Sequence, residues 1–476
     1  MTAETTAKET DSQDFLSPEN KIYSHLLKHQ KKYFVSLIIL IFFFSAWSNF
    51  LVGKPVLGGG ESYHLLNLIE KGEYTYNPLV LLLAVIPQNL ILIIPLLLSL
   101  LSLGLLSKLC EKMELPKNIS FFFILFLIMS PTFIYSFITL SSYSLFLSLT
   151  LLGFLLIMNK NKTLRLFSLI PFISASFFDT SSAIFLLSLQ LIYFWENKEK
   201  KEQLPVIVVA MTVGVMLLNK LFLKTPLFNG PYHLQRYFPD LISDFGGLNG
   251  IGFFTVLVAI TGLFVTWKKK NFYYAYLLLL IVIPGYLFNT EIVFILSLIL
   301  LFFAAVGFVK LFENKWVLTS LKGFTLIILL LGMIFSMLTF LDRVNELSPS
   351  PSDQKVLSWI RENTPENTVV LSAPENSYYV KYFSKRDPLF YLNDPDAEEK
   401  TETVQLIFSA PYIQDLFPLL EKNKVSFVYI TPQMREELPK EQGFLFLLKN
   451  ERFKLIYSHE GSEVWEFKKE SAENAG

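Results

Sequence analysis

The feature that most constrains this chain is a series of long apolar runs separated by short polar loops. An unpaired backbone group is not tolerated in lipid, so an apolar run of about 18 or more residues is typical of a membrane-spanning helix. One run, Leu164–Trp195, is too long for a single span and breaks at Asp179 into two. We therefore predict eleven spans: Phe34–Leu51, Asn89–Leu109, Ser120–Phe137, Leu140–Met158, the two halves of Leu164–Trp195, Leu204–Leu223, Gly250–Trp267, Phe272–Phe288, Ile292–Phe312 and Phe324–Leu341.

The composition agrees with a membrane protein and excludes several other classes. Apolar residues make up 52% of the chain and charged residues 17%, whereas soluble proteins carry about 25% charged residues. The formal net charge is zero, so nothing supports a nucleic-acid partner. The single cysteine, Cys110, excludes an intrachain disulfide and a cysteine-rich zinc site.

The charge of the loops predicts the orientation of the spans. If the N-terminus is inside, every inner loop carries at least three Lys or Arg residues, and the outer loops carry few. Cytoplasmic loops of membrane proteins show this excess, and an odd number of spans places the C-terminus outside. We therefore predict a multi-pass protein of the cell membrane, with a cytoplasmic tail at residues 1–33 and a transmembrane domain at residues 34–343.

The composition changes after Arg343. Residues 344–352 are rich in Pro and Ser and are predicted to form a linker. Residues 353–476 alternate helices and strands, which is typical of an α/β domain with its own core and here predicts an extracytoplasmic domain. The predicted helices are Gln354–Asn363, Glu375–Phe383, Ile413–Lys422 and Phe444–Lys449, and the predicted strands are Thr368–Ser372, Ser426–Thr431, Phe453–His459 and Glu463–Phe467.

Ionisable residues are almost absent from the centres of the predicted spans. An ion-coupled transporter or proton pump is expected to carry such residues at mid-membrane, so their absence argues against transport. The pattern favours chemistry at the outer boundary between water and lipid. The acidic residues lie at predicted outer ends: Glu61, Glu70, Glu73, Asp179, Asp240, Asp244 and Glu291.

The first outer loop is the most unusual loop of the chain. Three consecutive glycines, Gly58–Gly60, let the backbone turn tightly next to the bilayer. Ser62 is predicted to cap a helix over Tyr63–Glu70, with Glu61 near its positive N-terminal end. A carboxylate held there can act as a base towards an acceptor hydroxyl or as a metal ligand. The alternative is a flexible loop with a capping acid.

This loop resembles the first outer loop of the GT-C superfamily, the multi-span glycosyltransferases that use polyprenyl-phosphate-linked sugars. It is most similar to that of the catalytic subunit of oligosaccharyltransferase, in which an Asp is followed by aromatic residues and a His. Tyr63-His64-Leu65 fits that run, and Glu61 stands one position from the usual Asp, where this chain has Gly60. The resemblance implies a GT-C-like fold with Glu61 as the catalytic residue and His64 near the substrate.

The outer domain also resembles that family. The family has two valines, a WWDYG motif, an aromatic helix and then an Arg, and this chain has Val369-Val370, Ala373–Ser377, the aromatic stretch Tyr378–Phe383 and Arg386. The motif itself is gone, and only Glu375 stands in for its acid. The resemblance implies that Glu375 and Arg386 bind the substrate. The loss of WWDYG implies that acceptor recognition has changed.

The second acidic pair of the family is missing. In the family this pair follows the third span, downstream of a Pro, and helps to hold a divalent metal. Here Pro131 is followed by Thr139–Tyr143 (TLSSY), which contains no acid. With one acid left of that set, the sequence does not support a strong divalent-metal site.

Three further polar residues are candidate substrate-binding residues, each with a plainer alternative. Asp179 lies at an outer tip, where an Asp also commonly forms a turn. Arg236 can pair with a lipid phosphate through its planar fork of donors, or can anchor the chain at the interface. Asp244 precedes Phe245-Gly246-Gly247 and can equally belong to a turn.

The sequence leaves two functions open. The first is a membrane glycosyltransferase that takes a polyprenyl-phosphate- or diphosphate-linked sugar at the outer face and transfers it to a protein or glycan acceptor. The second is a non-catalytic scaffold or a lipid- or glycan-binding subunit of an envelope complex, which the missing acids favour. Membrane lipids are expected partners of either, and a nucleic acid of neither.

Overall fold

A computed structural model gives the architecture of the chain. It describes residues 18–72, 77–196, 203–222, 241–247, 250–288, 292–346, 348–391, 397–439 and 443–468. These residues form a helical membrane part followed by an α/β domain, which confirms the predicted combination of a multi-helix membrane part and a C-terminal α/β domain.

The membrane part is helical throughout the described residues, apart from short turns. This part also contains two 3-10 turns, Ser243–Phe245 and Lys270–Phe272, which lie before and after the helix Phe253–Thr266. Its helices are α1 (Pro18–Leu51), α2 (Gly60–Lys71), α3 (Pro78–Val85), α4 (Gln88–Ile91), α5 (Ile94–Lys112), α6 (Lys117–Met129), α7 (Pro131–Ile138), α8 (Ser142–Ile157), α9 (Lys162–Leu166), α10 (Leu169–Ala175), α11 (Thr180–Glu196), α12 (Leu204–Phe222), α13 (Phe253–Thr266), α14 (Tyr273–Phe288), α15 (Val293–Glu313) and α16 (Thr319–Glu346).

Fewer of the described helices are long enough to cross a membrane than the eleven predicted spans. Within the described residues, five helices are long and apolar enough to cross a membrane, and the bent pair α6–α7 makes a sixth if it is counted as one span. The three helices α8, α13 and α14 are apolar but shorter. The other predicted segments are helical too, but the first half of Leu164–Trp195 is divided between the short helices α9 and α10.

The predicted third span is bent by 59° between α6 and α7. Pro131 is the first residue of α7, and the hydroxyl of Ser130 accepts a hydrogen bond from the Phe133 amide at 3.3 Å. Proline lacks an amide proton and its ring clashes with the preceding turn, so one helix ends here and another is capped. The bend brings the end of α7 to the first outer loop.

Helices α13 and α15 cross at close range in the membrane part. Gly262 and Gly307 lie at the crossing, where a Cβ on Gly262 would stand 1.9 Å from the Phe303 carbonyl oxygen. A Cβ on Gly307 would stand 2.4 Å from the Val258 carbonyl oxygen. Small residues allow membrane helices to approach through their backbones, where van der Waals packing stabilises the pair.

The C-terminal domain contains a five-stranded mixed sheet of order β2-β1-β3-β5-β4. Strand β1 is parallel to β2 and β3, whereas β5 is antiparallel to β3 and β4. All four predicted strands are present, and the sheet contains one further strand of two residues. The elements are α17 (Pro351–Asn363), β1 (Val369–Leu371), α18 (Ser377–Tyr379), the π-helical turn Val380–Ser384, β2 (Asp387–Pro388), α19 (Ala397–Ser409), α20 (Ile413–Lys422), β3 (Val425–Ile430), α21 (Pro432–Glu437), α22 (Phe444–Leu447), β4 (Phe453–His459) and β5 (Ser462–Phe467).

The junction between the two parts is shorter than the predicted linker at residues 344–352. Helix α16 continues to Glu346 and α17 begins at Pro351. Ser350 and Asp353 form a reciprocal capping box at the start of α17. The hydroxyl groups of Tyr429 and Ser462 each donate to Asp353 at 2.6 Å, so the start of the domain is tied to its own sheet.

The predicted N-terminal tail is partly helical. Helix α1 begins at Pro18 and is kinked at His29, so the helix extends beyond the predicted span at residues 34–51. Polar, lysine-rich residues suit a helix that continues out of the membrane, because each peptide group is bonded within the helix.

Candidate active site

The glycine-rich loop positions the start of α2. Gly59 precedes the helix with a φ of 77°, a conformation that residues with a side chain rarely adopt. The helix begins at Gly60, so the prediction that Ser62 caps a helix starting at Tyr63 is wrong. The Ser62 hydroxyl instead donates to the Gly58 carbonyl at 2.7 Å and accepts from the Leu140 amide at 2.9 Å. This pair fastens the loop to the α7–α8 turn.

The Glu61 carboxylate is held by the first residues of α8. Its Oε1 accepts a hydrogen bond from the Ser142 amide at 2.9 Å, and the side chains of Ser141 and Ser142 also bond to it. Burial raises the pKa of Glu61, and these hydrogen bonds counteract the rise. The residue is still partly exposed. A partly exposed carboxylate with a raised pKa suits a general base.

Asn77 supports this arrangement from the other end of the first outer loop. Its Nδ2 donates to the Ser142 hydroxyl at 3.0 Å, and its Oδ1 accepts from the Leu79 amide at 2.9 Å. The second bond caps α3, which fixes the Asn77 side chain. A single side chain thus links the start of α3 to the residue that holds Glu61.

The next residues of α2 pack against the C-terminal domain. The Tyr63 ring lies 5.2 Å from those of Tyr379 and Tyr382 and 5.3 Å from that of Phe383, measured between centroids. Its hydroxyl donates to the Leu57 carbonyl at 3.0 Å. Centroid separations of this size are typical of favourable aromatic pairs. The first outer loop and the domain therefore lie at the same end of the molecule.

His64 follows Glu61 by one turn of α2 and belongs to a second aromatic group. Its Nδ1 is hydrogen-bonded to the Tyr391 hydroxyl, and its ring lies 5.7 Å from that of Tyr378. Burial lowers the pKa of His64 to about 4, so the imidazole is neutral near pH 7. All three rings are partly exposed. A neutral, partly exposed aromatic surface therefore lies one turn of α2 from Glu61.

Gly60 permits the close contact between α2 and Tyr378. A Cβ on Gly60 would lie 2.4 Å from Cδ2 of Tyr378, so Gly60→Ala is expected to displace that ring. We expect a loss of about 1–3 kcal/mol in stability, the usual cost of overpacking. Thermal unfolding in detergent measures it. The matched control is Gly58→Ala, whose Cβ would meet nothing closer than the Ser348 hydroxyl, at 3.3 Å.

A double variant tests the cause of this loss. Combining Gly60→Ala with Tyr378→Leu removes the ring that the new methyl group would meet. Variants in direct contact are not additive, so the double variant should lose less stability than the two single variants together. An additive loss would show that the Gly60–Tyr378 contact is not the reason.

Asp179 has hydrogen-bond partners at the start of α11. Its two carboxylate oxygens accept from the Ser182 amide at 2.7 Å and from the Ser182 hydroxyl. These bonds cap the start of α11. Phe178 packs on Phe146 at 6.1 Å between ring centroids, one turn along α8 from Ser142. A role of Asp179 in substrate binding stays a prediction.

Asp244 holds a turn at the start of α13. Its Oδ2 accepts from the Phe253 amide at 2.6 Å and from the Ser336 hydroxyl at 3.1 Å. Arg343 donates to the neighbouring carbonyls of Ser243 and Gly247. This agrees with the turn alternative, and substrate binding by Asp244 stays a prediction.

Neither of the two residues predicted in the C-terminal domain, Glu375 and Arg386, contacts Glu61 within the described residues. Glu375 is exposed on a 3-10 turn. Arg386 is buried, and its guanidinium bonds to Thr364 and to the carbonyls of Arg361 and Lys385. It thereby satisfies the carbonyls at the end of α17, as basic residues often do at helix C-termini. Arg236 lies outside the described residues.

The donor set around Glu61 does not fit a divalent cation. Within the described ranges, no three His, Cys, Asp or Glu side chains are grouped to hold a metal ion. Glu61 is surrounded by amide and hydroxyl donors, whereas Mg²⁺ and Ca²⁺ require several oxygen ligands that present lone pairs. We derive no step through a metal.

Sequence reasoning missed the residues that hold Glu61. In the sequence, Ser141 and Ser142 mark only the place where an acidic pair is absent, and Asn77 does not stand out. The signal available was their capping pattern, since Asn and Ser directly precede α3 and α8. Nothing local indicates Tyr391, which lies more than 300 residues from His64 in the chain.

Comparisons with known proteins bear on the fold. No family model matches the chain, and no curated protein matches its sequence. The apo oligosaccharyltransferase of Archaeoglobus fulgidus superposes with a TM-score of 0.55 and 13% identity, covering 86% of this chain and 70% of that one. The archaeal oligosaccharyltransferase AglB from Archaeoglobus fulgidus, in complex with an inhibitory peptide and a dolichol-phosphate, gives a TM-score of 0.54 and 13% identity over the same shares. ArnT from Cupriavidus metallidurans, bound to undecaprenyl phosphate, gives 0.50 and 11%, covering 91% of this chain and 97% of that one.

The chain has a GT-C-like fold. The resemblance predicted from the first outer loop and the outer domain is therefore confirmed as a resemblance of fold. It covers both the membrane helices and the C-terminal domain. At such low identity, the function must be argued from the residues of this chain.

Proposed function

We propose that the protein is a membrane glycosyltransferase that uses a polyprenyl-phosphate-linked sugar, with Glu61 as its general base. The observation that carries this proposal is the Glu61 carboxylate, which is partly exposed, has a raised pKa and stands where the first outer loop meets the C-terminal domain. The GT-C-like fold supports it, because the similar structures include two in complex with dolichol-phosphate or undecaprenyl phosphate.

The proposed reaction is a single displacement. The acceptor gives the proton of its nucleophilic group to Glu61 while its oxygen or nitrogen forms a bond to the anomeric carbon. The bond from that carbon to the donor phosphate oxygen breaks, and the polyprenyl phosphate or diphosphate leaves with the electron pair. The configuration inverts. A positioned base typically contributes about 10²–10⁴-fold to such a rate.

The residues near Glu61 suggest how the acceptor is held. His64, Tyr378 and Tyr391 form the neutral aromatic group near Glu61, joined by the His64–Tyr391 hydrogen bond. Aromatic side chains offer large contact areas with a polar edge, which suits the ring of a sugar. We place the acceptor between this group and Glu61, on the extracytoplasmic side of the cell membrane that loop charge predicts. Arg236 stays the predicted contact for the donor phosphate.

Purified protein reconstituted in lipid vesicles tests the proposal. We expect native mass spectrometry to find bound undecaprenyl phosphate when it is supplied. A panel of polyprenyl-phosphate- and diphosphate-linked radioactive sugars is mixed with an envelope extract as acceptor. It should give labelled product and, in equal amount, the free polyprenyl phosphate or diphosphate of the donor that is used.

Two outcomes would contradict the proposal. Lipid binding without consumption of any donor would favour the scaffold alternative, in which the site has kept its shape without its chemistry. Consumption of a donor that is unaffected by Glu61→Gln would reject the assignment of the base.

A further inference from the structure

The hydrogen bonds around Glu61 form a closed set with a defined direction. The Ser141 hydroxyl accepts from the Tyr143 amide at 3.3 Å, and the Ser142 hydroxyl accepts from Nδ2 of Asn77 at 3.0 Å. A hydroxyl has one proton and two lone pairs. Since each hydroxyl receives a donor from elsewhere, its own proton points to the carboxylate.

The carboxylate therefore meets three donors from one turn of backbone. These are the Ser142 amide, at 2.9 Å from Oε1, and the two serine hydroxyls. Hydrogen bonds to an ionised acceptor are the strong class. Ser141 is fully buried and the Ser142 amide is fixed at the start of α8, so the donors are positioned before any ligand arrives.

A divalent cation at this carboxylate would compete with those protons. It would need lone pairs of Glu61 that accept the three hydrogen bonds, and the hydroxyl protons would face the cation. The positions where a second and third carboxylate would stand hold neutral serines instead. Binding a cation would require the whole set to rotate away.

We propose that Ser141 and Ser142 form a hydroxyl clamp, oriented by Asn77, that holds Glu61 in the place of a divalent metal ion. The clamp rests on the proposed function for its role in transfer, but its competition with a metal can be measured without any activity. Ser142 and Asn77 act here as positioning residues, and Glu61 alone contacts the reacting proton.

The first experiment measures metal binding by the full-length protein in detergent. Mn²⁺ titration followed by electron paramagnetic resonance should give the same free-ion signal for the wild type and for Glu61→Gln. Ser142→Asp should gain a Mn²⁺ site, because two carboxylates then face each other. The double variant Ser142→Asp with Glu61→Gln should lose that site again. A wild-type Mn²⁺ site that disappears in Glu61→Gln would overturn the clamp.

The second experiment uses sugar transfer. Transfer should be retained in EDTA and should not rise on addition of Mn²⁺. Ser142→Ala removes one donor to the carboxylate, so the acidic limb of the pH–rate profile should move to higher pH and kcat should fall roughly tenfold at neutral pH, with an unchanged KM for the donor. Ser142→Thr, which keeps the hydroxyl, should restore both.

The matched control is Ser144→Ala. Its hydroxyl is buried in the same helix and donates to the Ser141 carbonyl at 2.7 Å, but it does not contact Glu61. It should leave the pH profile in place. A Ser142→Ala profile identical to that of the wild type would reject the clamp while leaving Glu61 as the base. If the wild type transfers no sugar at all, the proposed function fails, and the Mn²⁺ titration still decides the clamp.

Discussion

Glu61→Gln is expected to lower sugar transfer by at least about 100-fold, because a positioned base contributes about 10²–10⁴-fold. Gln keeps the shape of the side chain, and its carbonyl oxygen can still accept from the Ser142 amide. It cannot take a proton from the acceptor. Transfer is measured with reconstituted protein and whichever donor of the panel the wild type consumes. The matched control is Glu70→Gln, on the same helix, where Glu70 forms a surface ion pair with Lys385.

The same substitution should not lower stability at neutral pH. Burial raises the pKa of folded Glu61 above its unfolded value, so the carboxyl stabilises the fold at pH values below the unfolded pKa. That contribution is lost as the pH rises through the folded pKa. At pH 7 the wild type keeps a buried charge at a cost that Gln removes. A melting temperature for Glu61→Gln that is equal to or above that of the wild type is the expected result, with the difference disappearing towards pH 4.

A large fall in the stability of Glu61→Gln would contradict this account. It would indicate that the carboxylate serves mainly to join α2 to α8. In that case Glu61→Gln and Ser142→Ala should destabilise the protein alike, and any loss of transfer would follow from unfolding. The surface pair of Glu70 is expected to contribute less than about 1 kcal/mol, so its variant separates a general effect of lost charge from the effect at the site.

Gly262→Ala is expected to be the most destabilising single methyl addition in the membrane part. The new Cβ would lie 1.9 Å from the Phe303 carbonyl oxygen, which is backbone and cannot rotate away. Helices α13 and α15 would have to separate. We expect a loss of at least about 3 kcal/mol, at the upper end of overpacking costs. Thermal unfolding can be followed with a thiol-reactive dye, because Cys110 is the single cysteine and is 2% exposed.

Gly104→Ala is the control for this prediction. Gly104 lies in α5, and a Cβ there would meet nothing within 4 Å. Because Ala is the better helix former by about 1 kcal/mol, this variant should be neutral or slightly stabilising. Gly307→Ala should resemble Gly262→Ala, and the double variant should cost less than the sum, since one helix separation relieves both clashes. Equal melting temperatures for Gly262→Ala and Gly104→Ala would show that α13 and α15 are not in this contact.

Part of this architecture is local and was therefore predictable. Apolar runs locate the membrane helices because a backbone in lipid must form its hydrogen bonds within the segment. The strands and helices of the C-terminal domain follow from alternating patterns of the same local kind. The bend at Pro131 was missed although the signal was present, since Ser-Pro inside an apolar run ends a helix whatever its hydropathy.

The candidate site was only half predictable. Three glycines followed by an acid indicated a tight turn directly before Glu61, and this turn depends on neighbouring residues only. The Glu61 partners Ser141 and Ser142 lie about eighty residues away and reach it because the bend between α6 and α7 turns the α7–α8 junction towards the loop. Arg386 was assigned to substrate by its position in a motif, whereas its contacts are to the end of α17.

The sequence by itself determined that this chain has repeated membrane-spanning helices, carries a separate α/β domain and has an acid directly after a run of glycines. Each of these properties depends on the hydropathy, charge or backbone freedom of adjacent residues. Only the tertiary structure decided what surrounds that acid. Hydrogen bonds and aromatic contacts act over a few ångströms, so they depend on which distant segments the fold brings together. The fold surrounds Glu61 with serine donors and places the aromatic group of His64, Tyr378 and Tyr391 near it. The donor set of this site does not fit a metal ion.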